Sequence, residues 1–305
     1  MVSAMEEKTT VTAKVKKIMH VLNPLAGKGN AAKIKQSINS DEFIYMSNSP
    51  DEATEFIKNA CREDPDTCFT VYGGDGTVFK AVNALMAEGN NERASLKIVP
   101  VGSGNDFVKT FEGEYGEHQV DVMKFNDKYA INVINMGFDC KVVQRAAKLK
   151  KLPLVSGKMS YIFGVVGELF GKKPLNIKVE LTYENGETEN IDGEYLLAAV
   201  ANAKWYGGGF KVAPIADVSD GLLDVVLIKN VSRTKFISIV GDFKKGKLVD
   251  ENCQVVKKVD GILIYKRCVG VKISGCGAVC ADGEIFHEND VEISVVPKAI
   301  NYIKE

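Results

Sequence analysis

Hydrophobic and polar positions along the chain follow one rhythm as far as about residue 125 and another beyond it. In the first part, short apolar runs alternate with segments of helical period. "KKIMHVLNP" (16–24) reads as a strand, 30–39 as a helix and "EFIYMS" (42–47) as a strand. Residues 50–63 read as a helix opened by Ser49 and Pro50. "CFTVYGGDGT" (68–77) is strand then turn, 77–88 a helix, and "LKIVPVGSGND" (96–106) strand then turn again. This β-α-β-α-β-α-β order predicts a parallel sheet covered by helices, with ligands at the carboxyl ends of its strands.

Past about 125–130 strands follow one another directly. They include "YAINVINMGF" (129–138), "LNIKVELTY" (175–183), "TENIDGEYLLAAVANA" (188–203), "LLDVVLIKN" (222–230), "ILIYKRCVGVKIS" (262–274), "AVCADGEIF" (278–286) and "DVEISVVPKAINYI" (290–303). Asn185 and Gly186 mark a hairpin turn. Helical patterns interrupt the strands at 141–150, 156–171 and 232–246. The pattern therefore predicts an α/β protein of two domains: a parallel-sheet nucleotide-binding domain over 13–128 and a mainly antiparallel β-sandwich over 129–305. The last strand is free in this reading to return and pack on the first domain.

The three strand-to-turn junctions of the first domain carry the chemistry. "LNPLAGKGN" (22–30) offers Asn23, Gly27 and Lys28. "VYGGDGTVFK" (71–80) offers Gly73, Gly74, Asp75, Gly76 and Thr77, and "VGSGND" (101–106) offers Gly102, Ser103, Gly104, Asn105 and Asp106. Bare amides at a helix N-terminus favour phosphate, and Thr77 can cap that helix or bond a phosphate oxygen. Three such junctions along one sheet edge form a nucleotide-phosphate cradle. Asp75 repels phosphate, so its place there implies magnesium, a ribose hydroxyl or a proton to be taken, unless it only bonds its own turn. The spacings of a Walker P-loop and of a Rossmann fingerprint are both missing.

Composition narrows the partners. With 39 basic against 40 acidic residues the net charge is -1, which leaves no electrostatic footprint for nucleic acid. Seven cysteines without paired spacing, and no apolar leader before them, fit a reducing cytoplasmic compartment. Cys276 and Cys280 lie four apart but, with three distant histidines, do not make a zinc site. "YIFGVVGELF" (161–170) is too short to span a bilayer.

Taken together, "NPxxGKG", "GGDGT" and "GSGND" resemble the superfamily of diacylglycerol kinases, sphingosine kinases and NAD kinases. The first and last favour its lipid-kinase branch. "YGGGFKVAPIADVSDGLLDVVLI" (206–228) and "ADGEIF" (281–286) extend the likeness over about 17–296. The resemblance implies an ATP- and Mg²⁺-dependent lipid kinase, with diacylglycerol as acceptor and NAD kinase as the rival. A non-catalytic nucleotide- or lipid-binding module is the reading from another class. By resemblance, Gly73, Gly74, Asp75, Gly76 and Thr77 hold the ATP phosphates and help organise magnesium. Asn23, Gly27, Lys28, Ser47, Ser103 and Asn105 line the nucleotide site.

In the same way Asp282 is the general base and Glu284 a magnesium ligand, while Asp220 with the carbonyls of Asp217 and Leu222 forms a further magnesium site. An Asp on a glycine turn, facing the nucleotide cleft from a second domain, could take the acceptor's proton as the bond forms. Ala26 stands where many relatives carry Ser, and Ser103 where Thr is frequent. A soluble kinase for a membrane lipid needs an apolar slot or a membrane-facing patch, working transiently at the inner membrane surface. Residues 152–170, with Lys148, Lys150 and Lys151 before them, are the candidate segment for it, the alternative being a pair of core helices. A homodimer stays open.

Overall fold

A computed structural model describes residues 17–23, 31–87, 89, 93–102, 104–137 and 174–305. Gly27, Lys28, Ser103 and the expected membrane segment 152–170 lie outside the described residues, as do the helical patterns at 141–150 and 156–171. β1 (Ile18–Leu22), β2 (Phe43–Met46), β3 (Cys68–Gly73) and β4 (Ser95–Pro100) are parallel, in the order β2-β1-β3-β4. α1 (Ala31–Ser37), α2 (Pro50–Glu63) and α3 (Asp75–Ala87) connect them. Ser49 starts α2 as its pattern predicts: its hydroxyl accepts the Glu52 N–H at 3.1 Å, and Glu52 reaches back to the Asn48 N–H at 2.8 Å. α4 (Asp106–Lys109) follows the third junction.

The remaining strands are β5 (Gly116–Phe125), β6 (Lys128–Ala130), β7 (Val133–Gly137), β8 (Leu175–Thr182), β9 (Thr188–Asn190), β10 (Gly193–Ala201), β11 (Leu223–Lys229), β12 (Leu263–Cys268), β13 (Gly270–Ser274), β14 (Val279–Ala281), β15 (Glu284–Phe286) and β16 (Asp290–Lys304). Their pairings are antiparallel, and Val179, Ile273 and Ile293 from one layer meet Ile134, Val200 and Val225 from the other in a single apolar core. The outer face of β10 and β11 is covered by α5 (Arg233–Lys244) and by the chain around Tyr206 to Ala216.

Four runs that read as strands are each divided, one of them, 278–286, at the Asp282–Gly283 turn into β14 and β15. Residues 129–138 split into β6 and β7, because the N–H groups of Ile131, Asn132 and Val133 turn to the Asp282 carboxylate instead of a strand partner. Residues 188–203 break before Gly193, and residues 262–274 break at Val269, whose N–H bonds Thr182.

The end of the chain ties the two halves together. Residues 290–296 of β16 pair with β5 and β13, then Asn301, Tyr302 and Ile303 pair in parallel with Ser95, Leu96 and Lys97 of β4. Tyr302 is fully buried against Phe107 and Phe111, with ring centroids 5.3 and 4.7 Å away. Its hydroxyl finds no hydrogen-bond partner among the described residues, and burial pushes the phenol up to about 12. Tyr302→Phe removes an unpaired buried hydroxyl and is predicted to be neutral or stabilising by up to about 1–3 kcal/mol. Tyr302→Ala should cost about 3–5 kcal/mol. Urea midpoints of the two variants check both, and a Phe variant as unstable as the Ala variant would mean the hydroxyl is bonded.

Candidate active site

Two of the three glycine junctions meet directly. Gly74 and Gly102 lie so close that a Cβ built on Gly74 would stand 3.0 Å from the Gly102 Cα, a separation only glycines allow. Asp75 holds the junctions in this register. It is the first residue of α3, and its two carboxylate oxygens accept the N–H groups of Asn105 (3.0 Å) and Asp106 (2.8 Å). Burial raises its pKa and the neighbouring Asp106 raises it further, against the two backbone donors. Asn105 sits in the left-handed region at φ 54° and clamps Gly102 from both sides: its Oδ1 accepts the Gly102 N–H and its Nδ2 donates to the Gly102 carbonyl.

The second half of the protein enters at this edge twice. Asp106 is buried, pairs with Lys109 at 2.5 Å and accepts the Gly208 N–H at 2.6 Å. The other entry is the β14–β15 hairpin. Its turn residues Asp282 and Gly283 have φ of 48° and 93°, the two positive angles that a two-residue hairpin turn of the Asp-Gly type demands. On the strand leaving that turn, the Glu284 carboxylate lies against the start of α3, where a Cβ on Gly76 would come within 2.7 Å of its Oε1. It makes no hydrogen bond to the described residues.

Asp282 itself is held by main-chain donors and lies within electrostatic reach of Asp75. It is buried, one oxygen accepts the Ile131 N–H at 2.8 Å, and the other accepts those of Asn132 and Val133, each at 3.0 Å. Burial pushes its carboxyl up to about 7 against the pull of these three donors. Asp282 thus fixes the hairpin that carries Glu284, with both of its oxygens engaged by main-chain donors.

The other predicted site residues fall into three groups. Ser47 is buried and its hydroxyl donates to the Leu22 carbonyl at 3.3 Å, so it pins β2 to the end of β1. Asn23 follows directly at that strand end, and Thr77 lies in the first turn of α3, its N–H bonded to the Gly74 carbonyl at 2.9 Å. The Asp217–Leu222 turn stands apart from this edge. There Asp217 accepts the N–H and hydroxyl of Ser219, and Asp220 accepts the Leu222 N–H at 3.0 Å while ion-pairing with Arg267.

Arg267 is the cation that balances this turn, reaching Asp224 at 3.3 Å as well. Among the described residues no group of three or more His, Cys, Asp or Glu side chains is arranged to hold a metal ion. A cation at Asp220 would compete with the guanidinium for the same carboxylate. The pattern-based reading also passed over Asp121, which is fully buried in β5 and accepts the N–H groups of Gly221 (2.7 Å) and Lys298 (2.6 Å). An acid flanked by valines in an apolar strand was the available signal.

Residues 17–136 match the diacylglycerol kinase catalytic domain and residues 132–304 the YegS C-terminal NAD kinase beta sandwich-like domain. A Mycobacterium tuberculosis protein named diacylglycerol kinase is 27% identical over 313 residues, covering 94% of this chain and 95% of its own. A Staphylococcus aureus protein named as a candidate lipid kinase is 28% identical over 257 residues, 79% of this chain and 78% of its own. The crystal structure of a candidate diacylglycerol kinase from Bacillus anthracis superposes with a TM-score of 0.72 at 22% identity, over 96% of this chain and 98% of that one; this is a likeness of fold.

Two outcomes follow from the buried charges. A carboxyl raised from 3.8 to about 7 contributes stability that is full below pH 3.8 and is lost as pH rises through about 7. Between pH 4.5 and 7.5 the wild type should therefore lose more stability than Asp282→Asn, in which this group no longer titrates. Parallel urea-midpoint curves would show that Asp282 does not titrate there. Arg267→Gln should enlarge the melting-temperature rise on adding Mg²⁺ relative to wild type, since Asp220 is released; equal rises in both proteins would remove the competition.

Proposed function

The chain belongs to the diacylglycerol kinase family of lipid kinases, and from that premise we propose that it transfers the terminal phosphoryl group of ATP to the hydroxyl of diacylglycerol, giving phosphatidic acid. Kinases of this family use ATP. The observation that carries the reading is the meeting of three elements at the start of α3: the Gly74 and Gly102 junctions face each other, and Glu284 arrives from the other half of the chain. The bare junctions present main-chain amides to phosphate at a helix N-terminus. In a phosphoryl transfer, positioning and charge stabilisation supply most of the rate.

The three acids divide the work. Asp75 sets the register of the two glycine junctions through the Asn105 and Asp106 amides. Asp282 holds the hairpin through three amides. Glu284, partly exposed at the mouth and without a protein partner among the described residues, accepts the acceptor's proton as the new P–O bond forms. Asp282, first read as the base, becomes the residue that positions it. Bound Mg²⁺ neutralises charge on the transferring group. A second ion at the Asp217–Leu222 turn requires Arg267 to give up Asp220. The enzyme works from the cytoplasm at the inner membrane surface.

Phosphate transfer from labelled ATP to diacylglycerol, ceramide, sphingosine, phosphatidylglycerol and NAD in parallel tests the proposal. Product with diacylglycerol is expected, and product with NAD alone would overturn it. Glu284→Gln should lower kcat by about 10²- to 10⁴-fold while ATP binding persists. Full turnover in that variant would return the proton to another group.

A further inference from the structure

A lipid acceptor must be brought from a membrane to the crevice, and one face of the second half has the chemistry for that contact. α5 ends in Lys244, and "KKGK" at 244–247 leaves Lys244, Lys245 and Lys247 exposed. The segment beside it is pressed onto this helix end: the Lys211 N–H donates to the Lys244 carbonyl at 3.0 Å. The Lys244 ammonium lies 5.3 Å from the Phe210 ring centroid, and that of Lys211 lies 5.5 Å from the ring of Trp205. Gly246 makes this approach possible, at φ 67° and with a missing Cβ that would meet Pro214 at 2.9 Å. Four lysines and the chain's one tryptophan therefore share a face.

These cations form no close ion pair among the described residues. Lys109, Lys258 and Lys266 each hold a carboxylate at 2.5–3.0 Å, whereas Lys211, Lys244, Lys245 and Lys247 hold none among the described residues. Of the nearby acids, Asp242 is ion-paired with Lys258 and meets Lys245 and Lys247 only through longer-range attraction, and Asp250 accepts the N–H groups of Asn252 and Gln254; exposed Glu251 follows it. In a chain of net charge -1 such an unpaired cluster is local, not a by-product of a basic protein. Lysines at a helix end answer the exposed carbonyls there, but that does not account for Lys211, for Trp205 or for Ile237. Ile237 is 61% exposed, two turns before Lys244 on the same side of α5, with Gly241 open between them.

We propose that this face, Trp205 and Ile237 set among Lys211, Lys244, Lys245 and Lys247, is the surface on which the protein docks on an anionic lipid bilayer. Lysines beside an anionic leaflet attract it, while an aromatic and an aliphatic side chain enter the headgroup boundary. The face adjoins the crevice through one loop: Gly208, between Trp205 and Lys211, bonds Asp106, whose own N–H bonds Asp75. The inference rests on the lipid-kinase reading for its purpose, but its test does not.

Trp205 is the only indole, so its emission reports the face directly. The full-length protein is mixed with phosphatidylcholine vesicles with and without phosphatidylglycerol, and Trp emission and co-sedimentation are followed. Binding and a blue shift with the anionic vesicles only are expected. The variant carrying Lys244→Gln, Lys245→Gln and Lys247→Gln should bind about 100-fold more weakly, about fivefold per lysine. Its kcat/KM on a water-soluble short-chain diacylglycerol should match the wild type. Equal binding to neutral vesicles, unchanged binding by the variant, or an equal loss on the soluble substrate would each overturn the proposal. Vesicle binding by a wild type that transfers no phosphate would sink the kinase reading and leave the docking face standing.

Discussion

A carboxylate taken out of water costs several kcal/mol unless donors replace the solvent it has lost. In this protein four aspartates meet that demand with main-chain N–H groups from distant parts of the chain. Asp75 holds Asn105 and Asp106, Asp106 holds Gly208, Asp121 holds Gly221 and Lys298, and Asp282 holds Ile131, Asn132 and Val133. Each bond fixes a turn that no strand ladder would otherwise define. Removing one partner would leave either a buried charge or unpaired amides, so the loops at the ligand edge have little freedom to relax into another shape. The burial of these acids raises the pKa of Asp75, Asp121 and Asp282, which is the energetic trace of the same constraint.

This arrangement separates building a crevice from acting in it. An acid whose two oxygens are both engaged by backbone donors is fixed in orientation by them. Glu284 is the contrasting case, since it lies at the start of α3 with no hydrogen bond to the described residues and is carried on a hairpin that Asp282 holds still. Positions 282 and 284, with Gly283 between them, thus supply a rigid support and a carboxylate without a hydrogen bond to the described residues.

Much of the fold was legible in the periodicity of the chain. The alternation of strand and helix to residue 100, the Ser49 cap and the Asp-Gly and Asn-Gly turns are local signals, and local signals are what a sequence carries. The strand breaks at Ile131 and at Val269 were not legible, because a run of alternating residues looks the same whether its amides face a strand or a side chain 150 positions away. The candidate site divided along the same line. Glycines that allow close approach announced the edge where Gly74 meets Gly102, whereas the role of each acid depended on where its oxygens point. "ADGEIF" contains both Asp282 and Glu284, and nothing in the spacing distinguishes the one that is buried from the one that is not.

The long-range bonds also bear on how the two halves of the chain are joined. Many two-domain kinases close about a hinge, and a hinge needs few contacts crossing it. Here the crossing contacts are many and directional: β16 adds residues 301–303 to β4, Tyr302 sits in the core of the first sheet, and Asp106 and Asp121 each bond amides of the other half. Sliding one half past the other would break all of these together. Gly207, Gly208 and Gly209, three successive residues of positive φ, tie the second half to the Gly74–Gly102 junctions through the Gly208 N–H on Asp106, whose own N–H is held by Asp75.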